Sequence, residues 1–527
     1  MGLTINQKRE RNSSKYIKTF SFLIKIMNKN FQLGLTVFYF LVLFGCSVED
    51  ELDVNDTSST PSQSSPIDLE NGTLEISDFI WKGLNEYYYW QGKVELLSDE
   101  VAKSEDTYSK FISSNSNPED FFLKLKHPDD RFSYMYDNYR ELENTLEGIS
   151  STTGVEFGLL YTCQNCNQLI GYVKYILEGS NAVEKNIKRG DLFIGVNGTI
   201  LNTSNYETLL YGNQPSITLN MASVENGSIV RNFKEVELVK VENFKINPIQ
   251  IAKVLDWPSV DTTPNKKIGY LMYNQFVADS GNDLNQVFQE FKSQEIVDLI
   301  LDLRYNGGGS IQNCVELSSM ITGQFKNQIF AKENWNTKIE PLIINQYGKE
   351  KIINRFVSFL SDGQVINSLE LNRVFVITTS ETASASELLI NGLAPYIEVI
   401  HVGEQTVGKN VGSITVYDYI DTEQTINPNH NYAMQPIVFK IENSEGFVDY
   451  SSGLEPNYLI KESLENMGIL GNEEEPMLKI VLGIINGTQK LDIFDKSLDS
   501  PKMIHFDNPM LFKKQKMYTN KEFFLKK

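Results

Sequence analysis

The chain has little of two residues on which much enzyme chemistry depends, with 4 His and 4 Cys among 527. Four cysteines are too few for a disulfide scaffold. Four histidines argue against a His-rich metal site or a triad built on imidazole. Basic residues are also in deficit: 48 Lys and Arg face 68 Asp and Glu, a formal charge of −20 at pH 7. That is the wrong sign for a surface that must neutralise phosphates, which argues against nucleic acid as a partner. Nor is there the surplus of Pro or Gly that marks fibrous or disordered chains, with 16 and 34. What is present is a 41% apolar fraction with 11% aromatics. That is ample for buried cores, in a length that suits two to four domains at roughly 100–200 residues each.

The first 45 residues differ from the rest. Residues 1–30 carry seven Lys and Arg against the single acid Glu10, and the uncharged apolar run Phe31 to Gly45 follows. A basic start before an apolar stretch shorter than the roughly 20 residues of a membrane span predicts an export signal over 1–45. Met27 stands just ahead of a signal of ordinary length and is the expected start. The run ends in Leu43-Phe44-Gly45-Cys46, which resembles the lipobox of bacterial lipoproteins. That resemblance implies lipidation at Cys46 and a location in the cell envelope, anchored to a membrane, although Phe44 is larger than the residue usual there. The acidic, then Ser/Thr/Pro-rich stretch that follows predicts a tether over 46–73, since it cannot bury enough apolar area to offset the entropy of ordering.

From Ile76 to Trp90 apolar residues recur at three- and four-residue steps, which predicts an amphipathic helix. Similar patterns at Thr107–Ile112 and Pro118–Leu125 complete a small helical domain over 74–147. Residues 148–243 change to short β-rich runs between turns: Val155–Tyr161, Leu169–Val173 and Leu192–Val196, the last closed by Asn197-Gly198. Their order resembles a PDZ domain of the circularly permuted bacterial kind, in which a peptide adds a strand to an open sheet edge. The binding segment falls at Gly154–Gly158, with Val155, Phe157 and Gly158 as candidate peptide-binding residues. Cys163 and Cys166 form a Cys-x-x-Cys with no second pair nearby. They read as a local disulfide or two unpaired thiols and not as a metal site, and no metal or cofactor is expected.

The region 244–465 carries the chemistry. Ile296–Arg304 is a nearly continuous apolar strand, as in a sheet covered on both faces. It runs into Tyr305-Asn306-Gly307-Gly308-Gly309 and a helical run, Ile311–Ile321. Glycines there let backbone N–H groups converge on a ligand oxygen. A second strand, Val374–Thr379, leads into Ser380-Glu381-Thr382-Ala383-Ser384-Ala385-Ser386-Glu387 and a helix, placing a hydroxyl at a helix N-terminus. A third, Ile397–Val402, ends in a loop holding Gly408-Lys409. Residues 466–527 form an extension with one helical run near Ile480–Ile485 and no assignable chemistry.

Leu301-Asp302-Leu303-Arg304-x-Asn306-x-Gly308-Gly309, Ser384-Ala385-Ser386-Glu387 and Lys409, in that order, resemble the C-terminal processing (tail-specific) serine peptidases, in particular their lipoprotein members from Bacteroidetes-type bacteria. The likeness spans about residues 74–465 and includes Leu125-Lys126-His127-Pro128-Asp129-Asp130-Arg131-Phe132-Ser133. It implies an α/β fold: a ClpP/crotonase-like peptidase core with the β-rich PDZ-like domain and the small N-terminal helical domain. It also implies Ser384 as nucleophile, Lys409 as general base, and the N–H groups of Gly308 and Ala385 as oxyanion donors, acting on a protein or peptide substrate. A Ser-Lys pair needs no histidine, provided burial keeps the amine neutral.

One position departs from the family pattern. The Gln often found four residues after the lysine is here Ser413, whose hydroxyl is expected to accept a hydrogen bond from Lys409. The rival reading is a catalytically weak peptide-binding lipoprotein of the same fold. A crotonase-type acyl-CoA enzyme would share the sheet but explains neither export nor the Ser384/Lys409 pairing.

Overall fold

The computed structural model describes residues 69–115, 117–225, 228–258, 265–488, 504–506 and 508–521. The export signal, Cys46 and nearly all of the tether lie outside the described residues.

The apolar strand expected before the glycine turn is Asp298–Asp302, buried along its whole length. It lies inside a six-stranded sheet ordered Ile249–Trp257, Lys266–Tyr273, Asp298–Asp302, Arg373–Thr378, Glu398–Gly403 and Tyr458–Leu459. The first pair is antiparallel and every later pair parallel. Parallel neighbours require crossovers, and three of these are the helices Gly281–Ser293, Ile311–Thr322 and Ala385–Leu393. The period-2 alternation of side chains explains why the strand is apolar throughout. Leu299, Leu301 and Leu303 face the core shared with the three crossover helices, while Ile300 faces the core built with helix Pro476–Ile485.

Three further parts flank this sheet. Helices Leu69–Tyr87, Glu105–Ser113, Pro118–Lys124 and Tyr139–Leu146 form the N-terminal helical region. Its core takes in Val411, Val416, Met434 and Ile437 from the region 244–465. A β-rich module is built on the strand order Ile504–His505, Val155–Tyr161, Leu169–Ile176, Leu192–Val196, Ser216–Glu225 and Ser228–Val239. A second six-stranded sheet is ordered Gly308–Ser310, Lys516–Tyr518, Val411–Ser413, Ile437–Asn443, Ile329–Trp335 and Ile353–Arg355. Residues near the C-terminus thus contribute a strand to each of two sheets.

Candidate active site

Three loops leave the carboxyl ends of three adjacent parallel strands, where open α/β sheets place their ligands. The loop after Asp298–Asp302 carries the glycines, the loop after Arg373–Thr378 carries Ser384, and the loop after Glu398–Gly403 carries Lys409. Asn306 joins the first two. Its carbonyl accepts from Ala383 N at 3.1 Å and from Ser386 Oγ at 3.1 Å, and its side chain donates to Tyr273 O at 2.8 Å. Gly308, at φ +102°, packs so closely that a Cβ there would stand 2.6 Å from Ser384 Cβ and 2.8 Å from Ala385 N. Only glycine permits this approach.

Ser384 is the N-cap of helix Ala385–Leu393 and holds φ +67° and ψ −115°. A non-glycine residue in that region costs about 1–3 kcal/mol and persists only where its surroundings over-determine it. The residue is fully buried, yet its Oγ has no hydrogen-bond partner among the described residues. An unpartnered hydroxyl is therefore held at the positive end of a helix dipole.

The backbone around it hangs on Glu387. The carboxylate of this buried residue accepts four hydrogen bonds. Oε2 takes Ser384 N at 2.6 Å and Lys409 N at 2.8 Å, and Oε1 takes Thr406 Oγ1 at 2.5 Å and Gly408 N at 2.6 Å. Burial raises the pKa of Glu387, and the four donors work against that rise. The serine loop and the lysine loop are thereby fixed to a single carboxylate.

Lys409 is 1% exposed. Burial pushes its ammonium from the ordinary 10.5 down to about 7, against the opposing pull of Asp130 and Glu387. Asp130 belongs to the 125–133 segment of the helical region, which closes over this loop. Its Oδ1 accepts from Phe132 N and Ser133 N at 2.9 and 2.8 Å, and its Oδ2 accepts from Tyr88 OH at 2.8 Å. The Phe132 ring lies 5.0 Å from Lys409 Nζ, and Arg131 donates to Gly408 O at 3.0 Å. A buried amine poised near neutrality can take up and return a proton.

Several sequence expectations are refined. Ser413 does not receive Lys409, which instead donates to Gln515 O at 2.7 Å. The Ser413 hydroxyl donates to Gln435 Oε1 at 2.6 Å and to Met517 O at 3.1 Å. The cause is the C-terminal strand Lys516–Tyr518, which runs beside Val411–Ser413 and brings carbonyls to both side chains. The Gly308 N–H, expected to face a reacting oxygen, donates to Asn306 Oδ1 at 2.8 Å. Val155, Phe157 and Gly158 lie in the strand Val155–Tyr161, where the β-rich run predicts one, with Val155 buried and the Phe157 ring edge-on to Phe193.

The remaining polar residues of interest have structural settings. Cys163 and Cys166 form a disulfide, and Cys314 is buried in the core. His401 is held by Thr378 at 2.6 Å, and burial lowers its pKa to about 4. Arg304, fully buried, is bound by Asp302, Glu475 and Glu462. Burial opposes ionisation of Glu462, but Arg304 and Arg189 outweigh it and hold that carboxyl at about 2. This cluster pins the strand before the glycine turn to the segments around 462 and 475. Glu387 reads from sequence as a local pairing residue, and Asp130 and Phe132 carry no signal that would tie them to a lysine some 280 positions away.

Two family models match the chain: Peptidase family S41 over residues 267–435, and the Peptidase S41 N-terminal domain over residues 75–134. The chain is 20% identical over 443 residues to the carboxyl-terminal-processing protease of Synechocystis sp., covering 84% of this chain and 91% of that one. It is 21% identical over 323 residues to the carboxy-terminal processing protease CtpB of Bacillus subtilis, covering 61% and 56%. Its fold is similar to a crystal structure of an S41 protease from Bacteroides fragilis, with a TM-score of 0.59 and 23% identity over 78% of this chain and 98% of that one. The glycine turn, Ser384 and Lys409 all lie inside the matched peptidase segment, and Asp130 and Phe132 lie inside the matched N-terminal segment. The likeness to peptidase family S41 over residues 267–435 and to its N-terminal domain over residues 75–134, with the curated relatives, makes the chain a serine-type peptidase.

Proposed function

We propose that the protein is a serine endopeptidase of the cell envelope that cleaves extended or C-terminal peptide segments through an acyl-enzyme. The observation that carries this reading is the shared Glu387 carboxylate: it holds the backbones of Ser384 and Lys409 at one atom, beside an unpartnered hydroxyl and an amine near neutrality. Ser384 Oγ attacks the peptide carbonyl and its proton passes to Lys409 Nζ. The same proton then goes to the departing amine, and water repeats the sequence on the ester. The oxyanion is received by the N–H groups of Ala385 and Gly308. The latter becomes free when a substrate carbonyl draws it from Asn306 Oδ1. Removing one such donor typically costs about 10²–10³ in kcat.

The β-rich module acts as the PDZ-like peptide-capture domain, with Val155, Phe157 and Gly158 on the capturing strand. The sequence before residue 69 supplies the export signal and lipid attachment at Cys46. The chemistry draws only on the chain's own groups and asks for no metal or cofactor.

The test is turnover of an unstructured protein such as casein. Ser384→Ala and Lys409→Ala should each abolish it while circular dichroism and unfolding midpoints remain those of a folded chain. Undiminished hydrolysis by either variant rejects the assignment.

A further inference from the structure

The chain's own C-terminal segment follows the course expected of a substrate. Ile504–His505 pairs antiparallel with Val155–Tyr161 at Leu160 and Tyr161. Next to it the buried Phe506 ring packs edge-on against Tyr161 and Tyr206, at 5.3 and 5.1 Å. Asn508 Nδ2 then donates to Tyr211 OH at 3.0 Å. These contacts fill the groove between the module's edge strand and the helical turn Glu207–Tyr211. This is strand addition with an anchoring side chain, made in cis.

Further along, Lys514 pairs with Glu156 at 2.6 Å, and the segment enters the cleft. Lys516–Tyr518 inserts between Gly308–Ser310 and Val411–Ser413, parallel to both, in the register Gly308↔Lys516 and Ser413↔Tyr518. Lys516 N donates to Gly307 O at 2.9 Å and Thr519 N to Ser413 O at 3.2 Å. The Lys516 carbonyl oxygen converges with Ser384 Cβ and Ala385 N on the point where a Gly308 Cβ would stand. The tail therefore closes the edge of the glycine strand and the edge of the strand after Lys409 together, the edges that a peptide would need.

Lys409 Nζ bonds Gln515 O, Ser384 Oγ bonds nothing among the described residues, and the Gly308 N–H is held by Asn306.

Resting on the peptidase reading, we infer that the residues Ile504–Phe506 and Asn508–Thr519 are together a tethered competitor of substrate, which occupies both the capture groove and the catalytic cleft and holds activity low until it is displaced. Docking carries its own opposition: Lys516 is 3% exposed and its Nζ has no partner among the described residues. An unpartnered polar group costs free energy on burial, so the contact is poised for exchange. A tethered segment competes at an effective concentration on the order of millimolar, so even modest intrinsic affinity suppresses the uptake of dilute substrates.

The experiment keeps the folded full chain. A recognition sequence for a site-specific protease is inserted within residues 489–500, the protein is purified intact, and the chain is then nicked and diluted. Casein hydrolysis should rise at least tenfold in kcat/KM on nicking, mainly through KM. A synthetic peptide of residues 504–521 should restore the low rate competitively. Unchanged or reduced kcat/KM after nicking overturns the proposal. A second readout needs no catalysis: in the Ser384→Ala background, the labelled peptide should bind the nicked chain at least tenfold more tightly than the intact chain, and its Phe506→Asp version should bind weakly. Equal binding to both chains, or binding to neither, overturns the proposal. Peptide binding to a nicked wild-type chain that hydrolyses nothing would instead sink the peptidase reading and leave the occupied groove standing.

Discussion

Ser384 and Lys409 hang from one atom: their backbone N–H groups donate to the same oxygen of Glu387, at 2.6 and 2.8 Å. The serine sits in a strained conformation and the lysine in a dry loop, and a single carboxylate sets the distance between them. Glu387 acts as a positioning residue, and Glu387→Gln separates that role from mere stability. The substitution removes a charge that supports protonation of Lys409 and puts an NH2 group against N–H donors. kcat/KM should fall about 10²-fold, the cost of a small misplacement. The acid limb of its pH profile should move to lower pH, because Lys409 loses a favourable neighbour. An unshifted limb would show that Glu387 only holds the fold.

The pH dependence of the wild type follows from Lys409 itself. Burial lowers its pKa to about 7, so the neutral amine is the minor form below that pH. kcat/KM should rise about tenfold per pH unit below 7 and level off above it. A stopped assay across pH 5 to 10 reads this directly, and a midpoint near the ordinary lysine value would contradict the buried base.

The same burial predicts a cost in stability. The folded pKa lies below the unfolded one, so between about 7 and 10.5 the unfolded chain holds the proton that the folded chain lacks. Stability then rises with pH across that window, and below it the penalty is complete. Lys409→Met should stabilise the chain by about 3–5 kcal/mol at pH 6. The gain should shrink toward pH 10.5 while turnover is lost throughout. Urea unfolding at the two pH values tests this, and an equal effect at both would contradict it.

The Arg304 cluster gives an acid-side prediction. Glu462 is held at about 2 against an ordinary 4.5, so its contribution is whole above 4.5 and disappears as pH falls toward 2. That is about 3 kcal/mol between pH 5 and pH 2. Arg304→Met strands Asp302 and Glu475 without their cation and leaves Glu462 with Arg189 alone. It should cost about 3–5 kcal/mol at pH 7. Denaturant titrations of the wild type at pH 5 and 2, and of both proteins at pH 7, check these, and a variant as stable as wild type would deny the cluster its role.

Much of the core was legible because its signals are local. Strand Asp298–Asp302 announces burial on both faces by composition, and the helices after Ser310 and Ser384 carry three- and four-residue periodicity. Strands Val155–Tyr161 and Leu192–Val196 sit where their β-branched and aromatic runs predicted. What escaped was long-range or too short to have a period. Lys516–Tyr518 is three residues of a segment with no pattern, and its place between two short strands depends on edges about 100 and 200 positions away. Ser413 was misread for the same reason, since nothing near it in sequence shows that Gln435 and Met517 would claim its hydroxyl. The φ of Ser384 likewise leaves no trace in composition, as it is imposed by the surrounding hydrogen bonds.

The most direct test of a Ser384 hydroxyl activated by Lys409 is covalent labelling read by mass. The full chain is incubated at pH 8 with a serine-directed fluorophosphonate, and the adduct is mapped by peptide sequencing. The account predicts one adduct, on Ser384, forming more slowly as pH drops through 7 and absent from folded Lys409→Met. An adduct on another serine, or labelling of Lys409→Met at the wild-type rate, would contradict it.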